Sequence, residues 1–159
     1  MDLLFLIILG GLWGSFANVC IVRMPKDKGV VSGRSNCPKC KKQISWKDNI
    51  PIISYFLLGG KCRKCKKPIS FRYVVVELLS IISFVLIYYL FALSWTTLLL
   101  IFLSLGFIII FFIDLEHFII PNLVTFPLMA IGFLKSFIPD LDPISVSYTH
   151  LRAHETEAY

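Results

Sequence analysis

The chain has 159 residues, 57% hydrophobic and 16% charged, with a formal charge of +6 and a mean hydropathy of +0.77. A water-soluble domain is about half apolar and about a quarter charged, so the surplus must be buried in something larger than its own core, and a bilayer fits. This composition excludes a disordered chain; 9 glycines exclude collagen, and two close cysteine pairs plus one stray exclude a secreted disulfide scaffold.

Leu3 to Val22 carries no charge and is long enough as a helix to cross roughly 30 Å of hydrocarbon. The alternative is a signal peptide, but the stretch lacks a basic start, opens after Asp2 and runs into Arg23, Lys26 and Lys28. Of the 16 Lys and Arg residues, 14 fall between Arg23 and Arg72, opposed only by Asp27 and Asp48, which leaves that segment at +12 and the rest net acidic. Basic loops beside apolar spans resist translocation, so this one is expected in the cytoplasm with Met1 outside. A nucleic-acid footprint is the competing reading of the same charge.

Within the loop, Cys37-Pro38-Lys39-Cys40 and Cys62-Arg63-Lys64-Cys65 form two C-x-x-C knuckles, close to the spacing of a four-cysteine zinc ribbon. Lys39, Lys41, Lys42, Lys64, Lys66 and Lys67 flank the sulfurs and offset the negative charge of a four-thiolate centre. Zinc is favoured over a pair of disulfides, because a reducing cytoplasm disfavours the latter and a small loop without a core needs a staple. Four protein ligands leave no open position, so the ion is read as structural. Cys20, inside the first span, reads as a small packed hydrophobe. Between the knuckles, the uncharged run Ile50 to Gly60 is too short to span and too apolar for a free loop, so it is expected on the membrane surface or against the helices, with Gly59-Gly60 as its turn.

Val74 to Leu93 and Thr96 to Ile113 read as a helical hairpin with a tight outer turn near Ser94-Trp95, where Tyr88, Tyr89 and Trp95 cluster. The third span then delivers Asp114, Glu116 and His117 to the inner face. A carboxylate at the hydrocarbon edge is a functional candidate by default, and on position alone a snorkelling helix-end acid is an equal alternative for Asp114. Glu77 is either a second buried carboxylate or, the favoured reading, a packed group or an anion in the first turn of its helix near the positive end of the dipole. His117 reads as an interfacial polar residue before a base or a ligand. A fourth apolar stretch, Ile119 to Ile138, contains Pro121 and Pro127 and is expected to start irregularly. After Pro143 the chain turns polar and reads as a non-native or disordered tail, in which His150 and His154 carry no role.

The expected organisation is an all-α integral membrane protein of about four transmembrane helices: helix one at 1–22, a basic zinc-ribbon loop at 23–73, helices two to four within 74–143, and the tail at 144–159.

Taken together, Gly14-Ser15-Phe16-Ala17-Asn18-Val19 running into Arg23-Met24-Pro25, the two cysteine pairs enclosing Asn49-Ile50-Pro51 and Ser54-Tyr55, Ile69-Ser70-Phe71-Arg72-Tyr73 leading to Glu77-Leu78, and Asp114 through Pro121-Asn122 resemble a bacterial type IV prepilin peptidase over about Gly10 to Asn122. The resemblance implies a plasma-membrane aspartic endopeptidase that removes the basic leader of prepilins or pseudopilins at the cytoplasmic face. Many members then methylate the new amino terminus with S-adenosylmethionine. Two aspartates would share a proton, one activating water and the other polarising the scissile carbonyl, and Asp114 matches the first. The family's second aspartate lies in a Gly-x-Gly-Asp motif that this sequence lacks; Asp140 and Asp142 have no such glycines and are not promoted. The chain is therefore expected to be an inactive amino-terminal portion carrying Cys37, Cys40, Cys62 and Cys65 as Zn2+ ligands. Its expected partners are prepilin and anionic lipid headgroups, with no specific nucleic acid. The alternative from another class is a membrane-anchored zinc ribbon that binds nucleic acid or a protein.

Overall fold

The computed structural model describes residues 3–30, 35–37 and 39–136. Five α-helices occur among them: α1 (Leu3–Arg23), a short α2 (Ile53–Leu57), α3 (Arg72–Phe91), α4 (Trp95–His117) and α5 (Asn122–Ser136). Among the described residues there is no strand, only two isolated antiparallel bridges inside the loop.

Helices α1, α3 and α4 are each long and apolar enough to cross a membrane. The fourth expected span is represented by α5, whose 15 residues rise about 22 Å, short of roughly 30 Å of hydrocarbon. Among the described residues three helices reach crossing length, and the fourth expected span, Ile119 to Ile138, extends beyond them. Pro127 inside α5 removes one helical N–H, and Pro121 accepts from the amides of Val124 and Thr125 to start the helix after an irregular entry. Asp140, Asp142, His150, His154 and the polar tail lie outside the described residues.

The hairpin turn falls where the sequence puts it. The α3 helix ends at Phe91, and Ser94 caps α4 by accepting from the Thr97 amide at 3.2 Å, while the Thr97 hydroxyl donates to the Ala92 carbonyl at 2.5 Å. Tyr89 and Trp95 are exposed at this end, as rings at a membrane interface are.

The core is built on an unusually close approach of α1 to α3. A Cβ added to Gly10 would sit 2.8 Å from the Ile81 Cα, and one added to Gly14 would sit 2.8 Å from the Glu77 Cα. Gly10-x-x-x-Gly14 is thus a small-residue stripe that lets two membrane helices meet backbone to backbone. Around it Ala17, Cys20, Ile21, Val76 and Phe84 form a buried cluster that continues through Ile109, Phe112 and Ile113 of α4 to Val124 and Leu128 of α5. Cys20 is a packed apolar residue there, as expected. On the outer surfaces Leu4, Leu12, Ile82, Phe107 and Phe126 are exposed, which suits contact with lipid tails.

Candidate functional site

The two cysteine knuckles fold alike. The Cys37 carbonyl accepts from the Lys41 amide at 2.8 Å, and the Cys37 amide donates to the Lys42 carbonyl at 3.0 Å. In the second knuckle the Cys62 carbonyl accepts from Lys66 at 2.9 Å, and the Cys62 amide donates to Lys67 at 3.0 Å. Lys41 and Lys66 occupy the same left-handed position, with φ of 56° and 57°, where a side chain costs about 1 kcal/mol or more relative to glycine. The bridges Asn36 to Gln43 and Lys61 to Pro68 close each turn.

This pairing brings all four sulfurs together. The Sγ atoms of Cys37, Cys40, Cys62 and Cys65 lie within 4.8 Å of one another, and those of Cys37 and Cys65 are 3.9 Å apart. Tetrahedral zinc with bonds of about 2.3 Å requires sulfurs about 3.8 Å apart, so the cluster fits the ion with little movement. The backbone amides of Cys65 and then Lys64 pull the Cys62 thiol down to about 6, while, against the pull of the Lys67 amide, burial and the neighbouring sulfurs push its partner Cys65 up to about 11, so one thiolate forms readily and the other needs a metal to displace its proton. The cysteines are free rather than paired in disulfides. Asp48 clamps Arg63 of the second knuckle through contacts of 2.7, 2.9 and 3.0 Å, fixing the insert to the ribbon.

The insert also reaches the membrane helices. Pro51 lies against Gly11 of α1. Ile53, Phe56 and Leu57 of α2 are exposed, matching a short apolar segment at the membrane surface. Gly59 and Gly60 take positive φ, and Gly60 leaves no room for a Cβ beside the Tyr55 hydroxyl, 2.9 Å away. Ile52 has a φ of 60°, and its amide donates to Glu77 Oε2 at 2.7 Å.

Glu77 corrects the first-turn reading. Because α3 begins at Arg72, the residue sits in the second turn, where its own amide is already bonded within the helix. It is 8% exposed and serves as an acceptor for the insert and for Ser15, instead of compensating a helix end. Nearby, Asn18 donates through Nδ2 to the Tyr73 carbonyl at 3.0 Å, joining α1 to the start of α3. A cavity of about 490 Å³ lies between these helices and the ribbon, bordered by Ser15, Asn18 and Glu77 on one side and Cys37, Lys42 and Cys62 on the other.

Asp114 is exposed in the last turn of α4, and Glu116 and His117 follow it, also exposed. The helix ends with Phe118 in the left-handed region, its amide returning to the Asp114 carbonyl at 2.9 Å. Glu116 forms an ion pair with Arg72, the first residue of α3, whose guanidinium also stacks 5.1 Å from the Tyr73 ring centre. That pair places the end of α4 beside the end of the ribbon loop. Asp114 does not line the cavity, so the two carboxylates, Asp114 and Glu77, occupy separate places at one end of the bundle. Sequence reasoning assigned no role to Ser15 and Asn18, nor to the Gly10-x-x-x-Gly14 stripe, which a search for small-residue spacing in the first span would have found.

These features define a multi-pass membrane protein with a four-cysteine loop at one end of its helices. Residues 8–91 match the family model described as the bacterial peptidase A24 N-terminal domain, and the chain belongs to that family. It is 40% identical over 140 residues to a prepilin leader peptidase/N-methyltransferase of Myxococcus xanthus, covering 87% of this chain and 41% of that relative. Proteins of the same description from Vibrio cholerae and Klebsiella pneumoniae are each 40% identical, over 84% and 89% of this chain and 57% and 64% of their own lengths. The chain thus spans about half the length of the curated relatives it matches. No solved structure matches it significantly.

Proposed function

We propose that the chain is the amino-terminal part of a membrane aspartic endopeptidase that cleaves prepilin or pseudopilin leaders at the cytoplasmic face and methylates the new amino terminus. Family membership supports the reaction class. The observation that carries the assignment of Asp114 is the Arg72–Glu116 ion pair, which keeps the acidic end of α4 against the ribbon end of α3. The basic loop belongs inside by the positive-inside rule, so Asp114 meets substrate in the cytoplasm.

In this reading Asp114 is one of two carboxylates that share a proton across the scissile bond. One, ionised, takes a proton from the attacking water; the other, protonated, donates to the carbonyl oxygen. A single such carboxylate does not make the pair, so this chain by itself is inactive. Cys37, Cys40, Cys62 and Cys65 hold a structural Zn2+ that replaces the hydrophobic core the loop lacks. S-adenosylmethionine would supply an electrophilic methyl group when bound. The apolar pilin helix is recognised between the spans, because the leader and the loop are both basic and repel.

The test is a chimera in which residues 1–136 replace the matching part of the Vibrio cholerae relative. The chimera is expected to cleave a prepilin in membranes, and Asp114→Asn to reduce cleavage at least 100-fold, while the 159-residue chain alone gives none. Undiminished cleavage by the Asp114→Asn chimera would refute the assignment.

A further inference from the structure

The insert between the two cysteine knuckles reaches deeper than a membrane surface, and the helices beside it measure how deep. The α3 helix has 20 residues and rises about 30 Å from Arg72 to the hairpin turn after Phe91, the thickness of the hydrocarbon. Arg72 pairs with Glu116 near the end of α4, and Arg23 closes α1, so these three charged residues mark one rim of the membrane. Ile81 lies about 14 Å along α3 from Arg72, and Gly11 lies about 18 Å along α1 from Arg23. At that level a Cβ added to Gly11 would sit 3.6 Å from Ile81 Cδ1 and 3.3 Å from Pro51 Cβ. Pro51 therefore stands near the middle of the hydrocarbon and not at its rim. A boundary that left the insert outside, at the first exposed residue of α3, Leu78, would shorten that helix to about 20 Å, too little to cross.

The chemistry of the insert suits that depth. No charge occurs between Asp48 and Lys61. In hydrocarbon a backbone amide must find its partner within the protein. The Ile52 amide donates to Glu77 Oε2 at 2.7 Å, and the amides of Ser54, Tyr55 and Phe56 donate to the carbonyls of Ile50 and Ile52. Those of Leu58, Gly59 and Gly60 donate to Ser54, Phe56 and Tyr55. The Ser54 hydroxyl donates to the Ile50 carbonyl, and the Tyr55 hydroxyl to that of Ile69 at 3.4 Å. Glu77 thus has a structural cause: it accepts an amide where the chain reverses and lipid offers no acceptor. The return to the rim is made through α2, whose Tyr55 ring lies 6.0 Å from that of Phe71, the residue before α3. On the outer side Ile53, Phe56 and Leu57 are exposed, Leu57 by 80%.

We propose that residues 50–58 form a re-entrant membrane segment, which enters the hydrocarbon from the ribbon side, reverses at Pro51 and leaves along α2 with Ile53, Phe56 and Leu57 against lipid acyl chains. The spans alone set this depth, which is the same whichever face of the membrane the ribbon occupies. The segment anchors the four-cysteine ribbon in the bilayer at a point separate from α1 and α3.

The test uses the zinc-loaded 159-residue chain in vesicles of phosphatidylcholine and phosphatidylglycerol. Trp13→Phe, Trp46→Phe and Trp95→Phe remove the native tryptophans, and Ile53→Trp, Leu57→Trp or Lys67→Trp then supplies a single fluorophore; variants with unchanged zinc content and helical circular dichroism are compared. Lipids brominated at mid-chain should quench Ile53→Trp and Leu57→Trp at least about twofold more strongly than lipids carrying a nitroxide on the headgroup, and aqueous iodide should quench them little. Lys67→Trp, exposed on the ribbon, should show the reverse pattern. Leu57→Trp alters the most exposed of the three apolar residues, so it decides the question if Ile53→Trp fails to load zinc. Stronger quenching of the insert by headgroup nitroxide would place it on the surface, strong quenching by iodide would place it in water, and protection from all three quenchers would mean that protein covers it. Each of these results would overturn the re-entrant segment.

Discussion

The Ile52 amide and the Glu77 carboxylate, 2.7 Å apart, join the loop between the cysteine pairs to the second membrane helix. The bond is made by a residue with a φ of 60°, a conformation that costs a β-branched residue of order 1–3 kcal/mol and so persists only because the surroundings hold it. The ribbon is therefore attached to the bundle at a defined point, and the cavity under it has a fixed floor.

Removing the acceptor should loosen that attachment. Glu77→Ala leaves the Ile52 amide without its partner at a cost of about 1–3 kcal/mol. Glu77→Gln keeps a carbonyl in place and should cost less. Limited proteolysis of the segment around Ile52 in micelles is expected to accelerate in the alanine variant and to change little in the glutamine variant.

The close approach of α1 and α3 makes Gly10 and Gly14 intolerant of side chains. Gly10→Val or Gly14→Val forces a Cβ against backbone atoms 2.8 Å away, which neither helix can avoid without separating. A loss of about 1–3 kcal/mol is expected in denaturation from micelles. Gly132, with open space around it, is the control and should tolerate alanine with little change.

Zinc content tests the ribbon. The chain should bind about one ion, and Cys37→Ser or Cys62→Ser should remove it, since each leaves only three thiolates. Elemental analysis should show the loss. The helical signal should survive, because most helical residues lie in α1, α3, α4 and α5 and not in the loop.

The Arg72–Glu116 pair should matter more for position than for stability. The Arg72 side chain is 15% exposed and Glu116 40%, so solvent screens the pair and its loss should cost under about 1 kcal/mol. Arg72→Glu should nonetheless reduce cleavage in the Vibrio cholerae chimera, and the exchange Arg72→Glu with Glu116→Arg should restore part of it.

Much of this was legible in the sequence because hydrocarbon thickness and metal chemistry are strict. Uncharged runs of membrane length gave α1, α3 and α4, and the C-x-x-C spacing gave the four-sulfur cluster before any fold was known. The break between two apolar runs and the rings of Tyr88, Tyr89 and Trp95 marked the hairpin turn, while the Ser94 cap on α4 emerged only in the structure. What depended on tertiary contact was hidden. Glu77 looked like a first-turn acid because its helix was expected to begin at Val74, two residues after its actual start at Arg72. The role of Ile52 requires a positive φ that no sequence pattern announces for isoleucine, and Lys41 and Lys66 adopt the same left-handed turn without glycine. The fourth apolar stretch was legible from composition over Ile119 to Ile138, and α5 covers its described part, Asn122–Ser136.

In the proposed function the ribbon, the cavity and Asp114 share one end of the bundle, and that end faces the cytoplasm. Labelling with a membrane-impermeant maleimide tests it, using Lys41→Cys in the ribbon and Leu93→Cys in the turn between α3 and α4. Leu93→Cys should react in intact cells, and Lys41→Cys only after permeabilisation. Reaction of Lys41→Cys in intact cells, with Leu93→Cys protected, would contradict the account.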